Sequence, residues 1–167
     1  MKNYKILLPK YFPKKHLKEG QRTNFRNAII NGTKIHAICQ DVSKWETRLK
    51  EVQKGQAVLS IKEWTESLHK NIQKELLQLS AKDGVGFQKA VLSRSEWPDN
   101  DNILHCCYWI TINEKEIDID DFCHNEGLCS FTDVIEWFAT RMDNIKPDKE
   151  GWRHQELAII HFSNFRY

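Results

Sequence analysis

No run of about eighteen apolar residues occurs in this chain, so the sequence offers no membrane-spanning helix. Its first residues are rich in lysine and poor in apolar side chains, so a secretory leader is not expected. The five cysteines are odd in number and do not fall into spaced pairs, which argues against a disulfide framework. Together these absences predict a reducing, cytoplasmic setting. Phosphate-binding loops are missing as well: there is no GxxxxGK[ST] and no GxGxxG, and Gly84-Val85-Gly86 lacks the third glycine and the following helix. Neither GxSxG nor HExxH occurs, so the common hydrolase signatures are absent. Repeats, low-complexity tracts and linkers are absent too, and residues 1–167 read as one domain, expected to be a monomer.

The charge that is present is unevenly placed. The formal net charge is +2, but residues 1–50 carry twelve Lys and Arg against three acids, and residues 96–136 carry eleven acids against one lysine. A basic half favours phosphate, because cations on a phosphate backbone release counterions. The acidic half argues against wrapping a long duplex. Six tryptophans are present. Trp64, Trp109, Trp137 and Trp152 fall at or near the ends of expected elements, where a stacking face could remain open to a base.

Patterning predicts many short strands and two or three helices. Strands are expected at 5–9, 34–39, 57–64, 87–92, 103–112 and 157–162. Helices are expected from Gly20 to Ile30, from Asp41 to Val52 with Trp45, Leu49 and Val52 inward, and from about Ser130 with Val134, Trp137 and Phe138 inward. Ser130 is a candidate cap, with Asp133 three residues on. Arg22 and Arg26 share one helix face at a spacing of four, a candidate phosphate contact. Asn113-Glu114-Lys115-Glu116 reads as a hairpin turn and Glu96–Asn100 as a loop, while residues 66–79 fit either a helix or a strand. The expected class is α+β, a small β-barrel with helices packed outside and the last strand able to close on the first.

Three kinds of chemistry can be weighed. His105-Cys106-Cys107 and Cys123-His124 with Cys129 supply soft ligands, but adjacent strand residues point to opposite faces and no CxxC pair exists, so no metal and no cofactor are expected. Cys39 lies near Lys34 and His36, yet on a strand it faces away from His36, a poor arrangement for an activated thiol. A binding cleft lined by lysine and aromatic side chains is the better reading.

Several segments resemble a known family. Gly32-Thr33-Lys34-Ile35-His36-Ala37-Ile38 resembles the GxKxxTxR element of ASCH domains, which belong to the PUA-like superfamily. Lys54-Gly55-Gln56-Ala57-Val58-Leu59 resembles their KxGDxVxL turn and strand. Asn125-Glu126-Gly127-Leu128 followed by 131–138 resembles the NDGL and WF helix of a Bacteroidetes and phage-associated branch, and Ala158–Phe162 and Asn164–Tyr167 resemble that branch's closing strand and end. The resemblance implies a PUA-like barrel with a cleft beside the GxK strand and a role in binding RNA or nucleotides. It also implies kinship with a few amidohydrolases of acylated cytidine that use a Lys, a Thr and a Glu. On this chain the Lys is Lys34 and the Glu is Glu126, but Ala37 stands at the Thr position and Cys39 at the Arg position. A basic segment of that branch is matched only by Lys70 and Gln73.

The expectation is therefore a non-catalytic RNA- or nucleotide-binding domain whose ligand contacts are Lys34, His36, Trp64, Lys70, Asn125 and Glu126. The alternatives are a hydrolase of a modified nucleoside such as N4-acetylcytidine, using Lys34 and Glu126, or an interaction protein of a phage or mobile element. Lys34 is expected at a cleft mouth, with its ammonium turned to the ligand.

Overall fold

Apolar alternation along the chain produces strands of two kinds, and they form two sheets. The computed structural model describes residues 1–64 and 72–167. The smaller sheet has the order β1 (Lys2–Leu8), β3 (Ala57–Trp64), β4 (Gln73–Leu79). β1 runs parallel to β3, and β4 runs antiparallel to it with a register shift at Ile61/Lys62. The ambiguous run 66–79 is thus a strand from Gln73 onward, while Lys70 lies outside the described residues.

The larger sheet is antiparallel throughout. Its order is β2 (His36–Cys39), β8 (Trp152–His161), β5 (Gly86–Pro98), β6 (Leu104–Ile112), β7 (Lys115–Glu116). Leu157, Ala158, Ile159 and Ile160 of β8 are all fully buried, as a strand covered on both faces requires. The last strand therefore pairs with β2 and β5 and not with β1. No strand pairing among the described residues joins the two sheets into a closed ring.

Among the described residues, four α-helices complete the α+β architecture: α1 (Phe25–Ile30), α2 (Val42–Gln53), α3 (Ile119–Glu126) and α4 (Phe131–Met142). None among the described residues is long and apolar enough to cross a membrane. α2 buries Trp45, Leu49 and Val52 at helical spacing. α4 buries Val134, Phe138 and Met142, and Ser130 caps it by accepting from Asp133 N.

Four departures from the expected elements have local causes. α1 begins only at Phe25, because Thr23 Oγ1 donates to Pro9 O and Asn24 has φ 59°, outside the helical region. β5 continues through the expected loop to Pro98, since Ser93-Arg94-Ser95-Glu96 pairs with 106–109 of β6. β8 likewise starts at Trp152 rather than Leu157, extending the same long ribbon. α3 arises where no helix was expected: Asp118 accepts from Asp121 N at its start, and Asp120 and Asp121 favour the helix N-terminus.

Candidate functional site

The loop between α1 and β2 is tied down by its backbone. Thr33 N and Lys34 N both donate to Ala28 O, Ile35 N donates to Asn125 O, and Phe162 N donates to Ile35 O. These bonds press residues 33–35 against the end of α3. Gly127 makes that approach feasible. It has φ +77°, and a Cβ there would lie 3.2 Å from Ala28 Cβ and 3.3 Å from Lys34 Cβ.

Lys34 therefore precedes the strand rather than standing on it, and it points inward. Its side chain is 0% exposed. The ammonium donates to Glu126 O at 2.6 Å, lies 2.8 Å from Glu126 Oε1, and sits 4.3 Å from the centre of the Phe25 ring. The carbonyl, the carboxylate and the ring face account for its three donors. The expectation that Lys34 stands at a cleft mouth with a free ammonium is thus corrected: it lies beneath the cleft and holds Glu126. Burial pushes the Lys34 ammonium below its ordinary pKa and the Glu126 carboxyl above its own, while their mutual attraction opposes both shifts.

His36 is the first residue of β2 and is completely buried, stacked on Phe122 at 5.2 Å. Asn125 Nδ2 donates to the Tyr167 hydroxyl at 3.1 Å, and that hydroxyl lies 3.2 Å from His36 Nδ1. A hydroxyl that accepts from Asn125 is free to donate to Nδ1, which places the His36 proton on Nε2. Nε2 is 3.3 Å from Glu126 Oε2, but the two are not aligned as a hydrogen bond, and neither atom has a hydrogen-bond partner among the described residues. Burial first, then Lys34 and His161, hold the His36 pKa well below its ordinary value, so the ring is neutral. His161, opposite His36 across the β2–β8 pair, is also buried with both ring nitrogens unpartnered, and burial pushes its pKa down to about 3.

Glu126 is buried, 7% exposed. It forms part of the wall of a cleft of about 90 Å³ whose other residues include Phe25, Ala37, Cys39, Leu128, Trp137 and Phe138. The lining is apolar except for this carboxylate, and Ala37 contributes only a methyl group to it. Burial, foremost, pushes the Cys39 thiol up to about 12, so it stays protonated. Among the described residues no group of three or more His, Cys, Asp or Glu side chains is placed to hold a metal, and all five cysteines are free.

A second cleft, of about 240 Å³, is lined by residues next in sequence to two of the first, Lys10 after Pro9 and Arg26 after Phe25. Lys10, Arg22, Asn24, Arg26, Asn27, Ile30 and Glu63 line it, so the Arg22 and Arg26 pair does converge on a basic hollow.

Of the expected ligand residues, Lys34, His36, Asn125 and Glu126 come together. Trp64 stands apart, exposed at the end of β3 in the other sheet, beside Glu63 of the basic cleft. Sequence reasoning missed Phe25, Leu128, Tyr167 and His161. A histidine closing a fully apolar strand was the one available signal, because such a ring is forced inside with its neighbours. No protein-family model, no curated protein and no solved structure matches this chain.

Proposed function

We propose that the chain is a PUA-like domain of the ASCH kind that binds RNA, or a nucleotide-like ligand, by one base and without catalysis. In this reading the two sheets are the two sides of the family's barrel, and the free cysteines suit a reducing compartment. The observation that carries the proposal is Glu126, a buried carboxylate in the lining of an apolar cleft, whose Oε2 accepts no hydrogen bond among the described residues. A buried carboxylate oxygen without a donor is costly. A planar ring with an N–H on its edge satisfies it while filling the space beside Phe25, Trp137 and Phe138. Purines, cytosine and guanine-like edges carry such donors. The neighbouring basic cleft offers Lys10, Arg22 and Arg26 to an attached phosphate.

Absence of turnover follows from Ala37, from the protonated Cys39 and from Lys34, whose donors are all engaged within the protein. The hydrolase reading retains one supporting observation, the Lys34–Glu126 pair at 2.8 Å. Thermal unfolding with nucleosides, mononucleotides and short RNA oligomers tests the proposal. A ligand at about 100 times its dissociation constant stabilises by roughly 2.7 kcal/mol. Glu126→Gln is expected to weaken that ligand by roughly 1.5–3 kcal/mol, and Ala37→Leu to block it by filling the cleft. Affinity should fall with salt, with a log–log slope of about −0.7 per phosphate contact on a single strand. If no nucleoside or oligomer shifts unfolding, the proposal fails. Turnover of N4-acetylcytidine by wild type, abolished by Glu126→Gln, replaces it with the hydrolase.

A further inference from the structure

The far end of the larger sheet has an open edge. β5 and β6 pair in a register whose bonded pairs are fixed at both ends, by Asp99 N to Ile103 O and by Asn113 N to Lys89 O. Bonded and unbonded pairs alternate between them. His105, Cys107 and Trp109 therefore turn their backbone groups to β5, whereas Leu104, Cys106 and Tyr108 turn theirs away. β7 covers only Thr111 and Ile112. The outward N–H and C=O groups of Leu104, Cys106 and Tyr108 have no hydrogen-bond partner among the described residues. Residues 104–112 contain no Lys, Arg, Asp or Glu, the usual protection of a free edge.

The two faces beside this edge differ. On one, Trp109 of β6, Ser93 of β5 and Trp152 and His154 of β8 surround an open cleft of about 410 Å³ with Asp148 and Glu150. Ser93 Oγ and Asp148 Oδ2 hold the His154 ring at 2.8 and 3.1 Å, and that ring stacks on Trp152 at 6.5 Å. Glu150 has no ion-pair partner among the described residues, and no Lys or Arg lines the cleft. On the other face, Tyr108, Ile110, Ile117, Ile119 and Phe131 line a mainly apolar groove of about 290 Å³, which Trp109 and the Glu116 carboxylate also border.

We infer that the β6 edge is a docking site for an extended basic segment of a partner protein, in which Lys or Arg alternates with apolar residues. The segment adds a strand to the sheet through Leu104, Cys106 and Tyr108. Its cations lie against Trp109, Trp152, Asp148 and Glu150, where ring faces and carboxylates both favour positive charge. Its apolar side chains enter the groove between Tyr108 and Phe131. The period of two in an added strand matches two faces of opposite character. The carboxylates of Asp99 and Asp101 in the β5–β6 turn, of Glu116 in the groove and of Asp148 and Glu150 in the cleft repel a phosphate backbone and attract a basic chain. This site is separate from the proposed base cleft and stands or falls independently of it.

The test is fluorescence anisotropy with the full chain and a labelled peptide of about ten residues alternating Arg and Val, the length of one long strand. Binding is expected. It should weaken at least about tenfold with an alternating Glu and Val peptide, and by a similar factor of about ten when alternate peptide amides are N-methylated on the pairing side. Trp109→Ala and Glu150→Lys should each weaken it. Cys106→Pro, which removes one outward N–H, should abolish it while the N-methylated peptide gives the same answer without altering the protein. Equal binding of the Glu–Val or N-methylated peptide overturns the inference. So does an oligouridine that binds through Trp109 in preference to the peptide, or an edge-to-edge dimer, lost in Cys106→Pro, that leaves no peptide binding at any concentration of monomer.

Discussion

The two ends of the five-stranded sheet use the same side chains in opposite circumstances. At one end His36 and His161 lie in contact with aromatic rings and are wholly buried, and burial drives both to the neutral form. At the other end His105 and His154 stack on Trp97 and Trp152 with about half of each imidazole exposed, and each meets an aspartate, Asp99 or Asp148. Hydrogen bonds there, from His105 to Asp99 and from the Trp152 backbone and His154 to Asp148, hold both carboxyls below their ordinary range. The buried end sets a fixed pattern of donors and acceptors around one carboxylate. The exposed end leaves its carboxylates hydrated. Solvent access, more than residue type, decides which of them can read a ligand and which can only attract one.

Removing a charge from the buried end has the largest expected effect. Lys34→Ala leaves the Glu126 carboxylate unpaired, and a loss of about 3–5 kcal/mol is expected in urea unfolding. Replacing both partners, as Lys34→Met with Glu126→Gln, should cost clearly less than the sum of the single changes. A loss below about 0.5 kcal/mol for Lys34→Ala, the range of an ordinary surface substitution, would mean that the ion pair is hydrated after all.

Acid sharpens the comparison next. A histidine whose folded pKa is depressed binds its proton in the unfolded chain first, so stability is lost as pH falls below the unfolded value. For His161 that window runs from about 6.5 down to about 3. Within it each such histidine steepens the loss by up to about 1.4 kcal/mol per pH unit. His161→Leu should therefore flatten the acid limb of the wild-type curve, with the difference between the two proteins growing as pH falls. Identical limbs would show that His161 is protonated in the folded protein.

At the exposed end the expected effects are smaller. His154→Ala breaks a hydrated pair with Asp148 and should cost less than about 1 kcal/mol. Trp109→Ala should change stability by no more than about 0.5 kcal/mol, read in the same unfolding series, even though the peptide-binding inference makes it the most sensitive residue on its face. A loss of several kcal/mol there would mark Trp109 as a structural residue.

Where the sequence was legible, a periodic run or a cap sat in one place. α2 was visible in Trp45, Leu49 and Val52, α4 in Ser130 and its apolar stripe, and the β6–β7 turn within 113–116, although only Asn113 and Glu114 have positive φ there and Lys115–Glu116 is β7. The site was legible only as residue names. Lys34 and Glu126 are 92 positions apart, and nothing local tells a lysine after a Gly turn that its partner is a helix end. The acidic run 118–121 hid α3, because its apolar residues are too few to show a period before the helix stops at Gly127. β5 was shortened because its distal half alternates polar residues on both faces, which is what a solvent-exposed ribbon requires.

The position of β8 has a further consequence for how the protein is made. β2 and β5 both pair with β8, and neither pairs with the other. Until residues 152–161 have left the ribosome, the edges that will receive them stay open on both sides of a gap. His36 waits on one side of that gap and the β5–β6 hairpin on the other. The nascent chain can complete this hairpin early, since its strands are close in sequence, but the sheet condenses only when a single late strand enters its middle. Chaperone dependence should thus concentrate in the interval between synthesis of β2 and arrival of β8, when apolar strand edges are longest exposed.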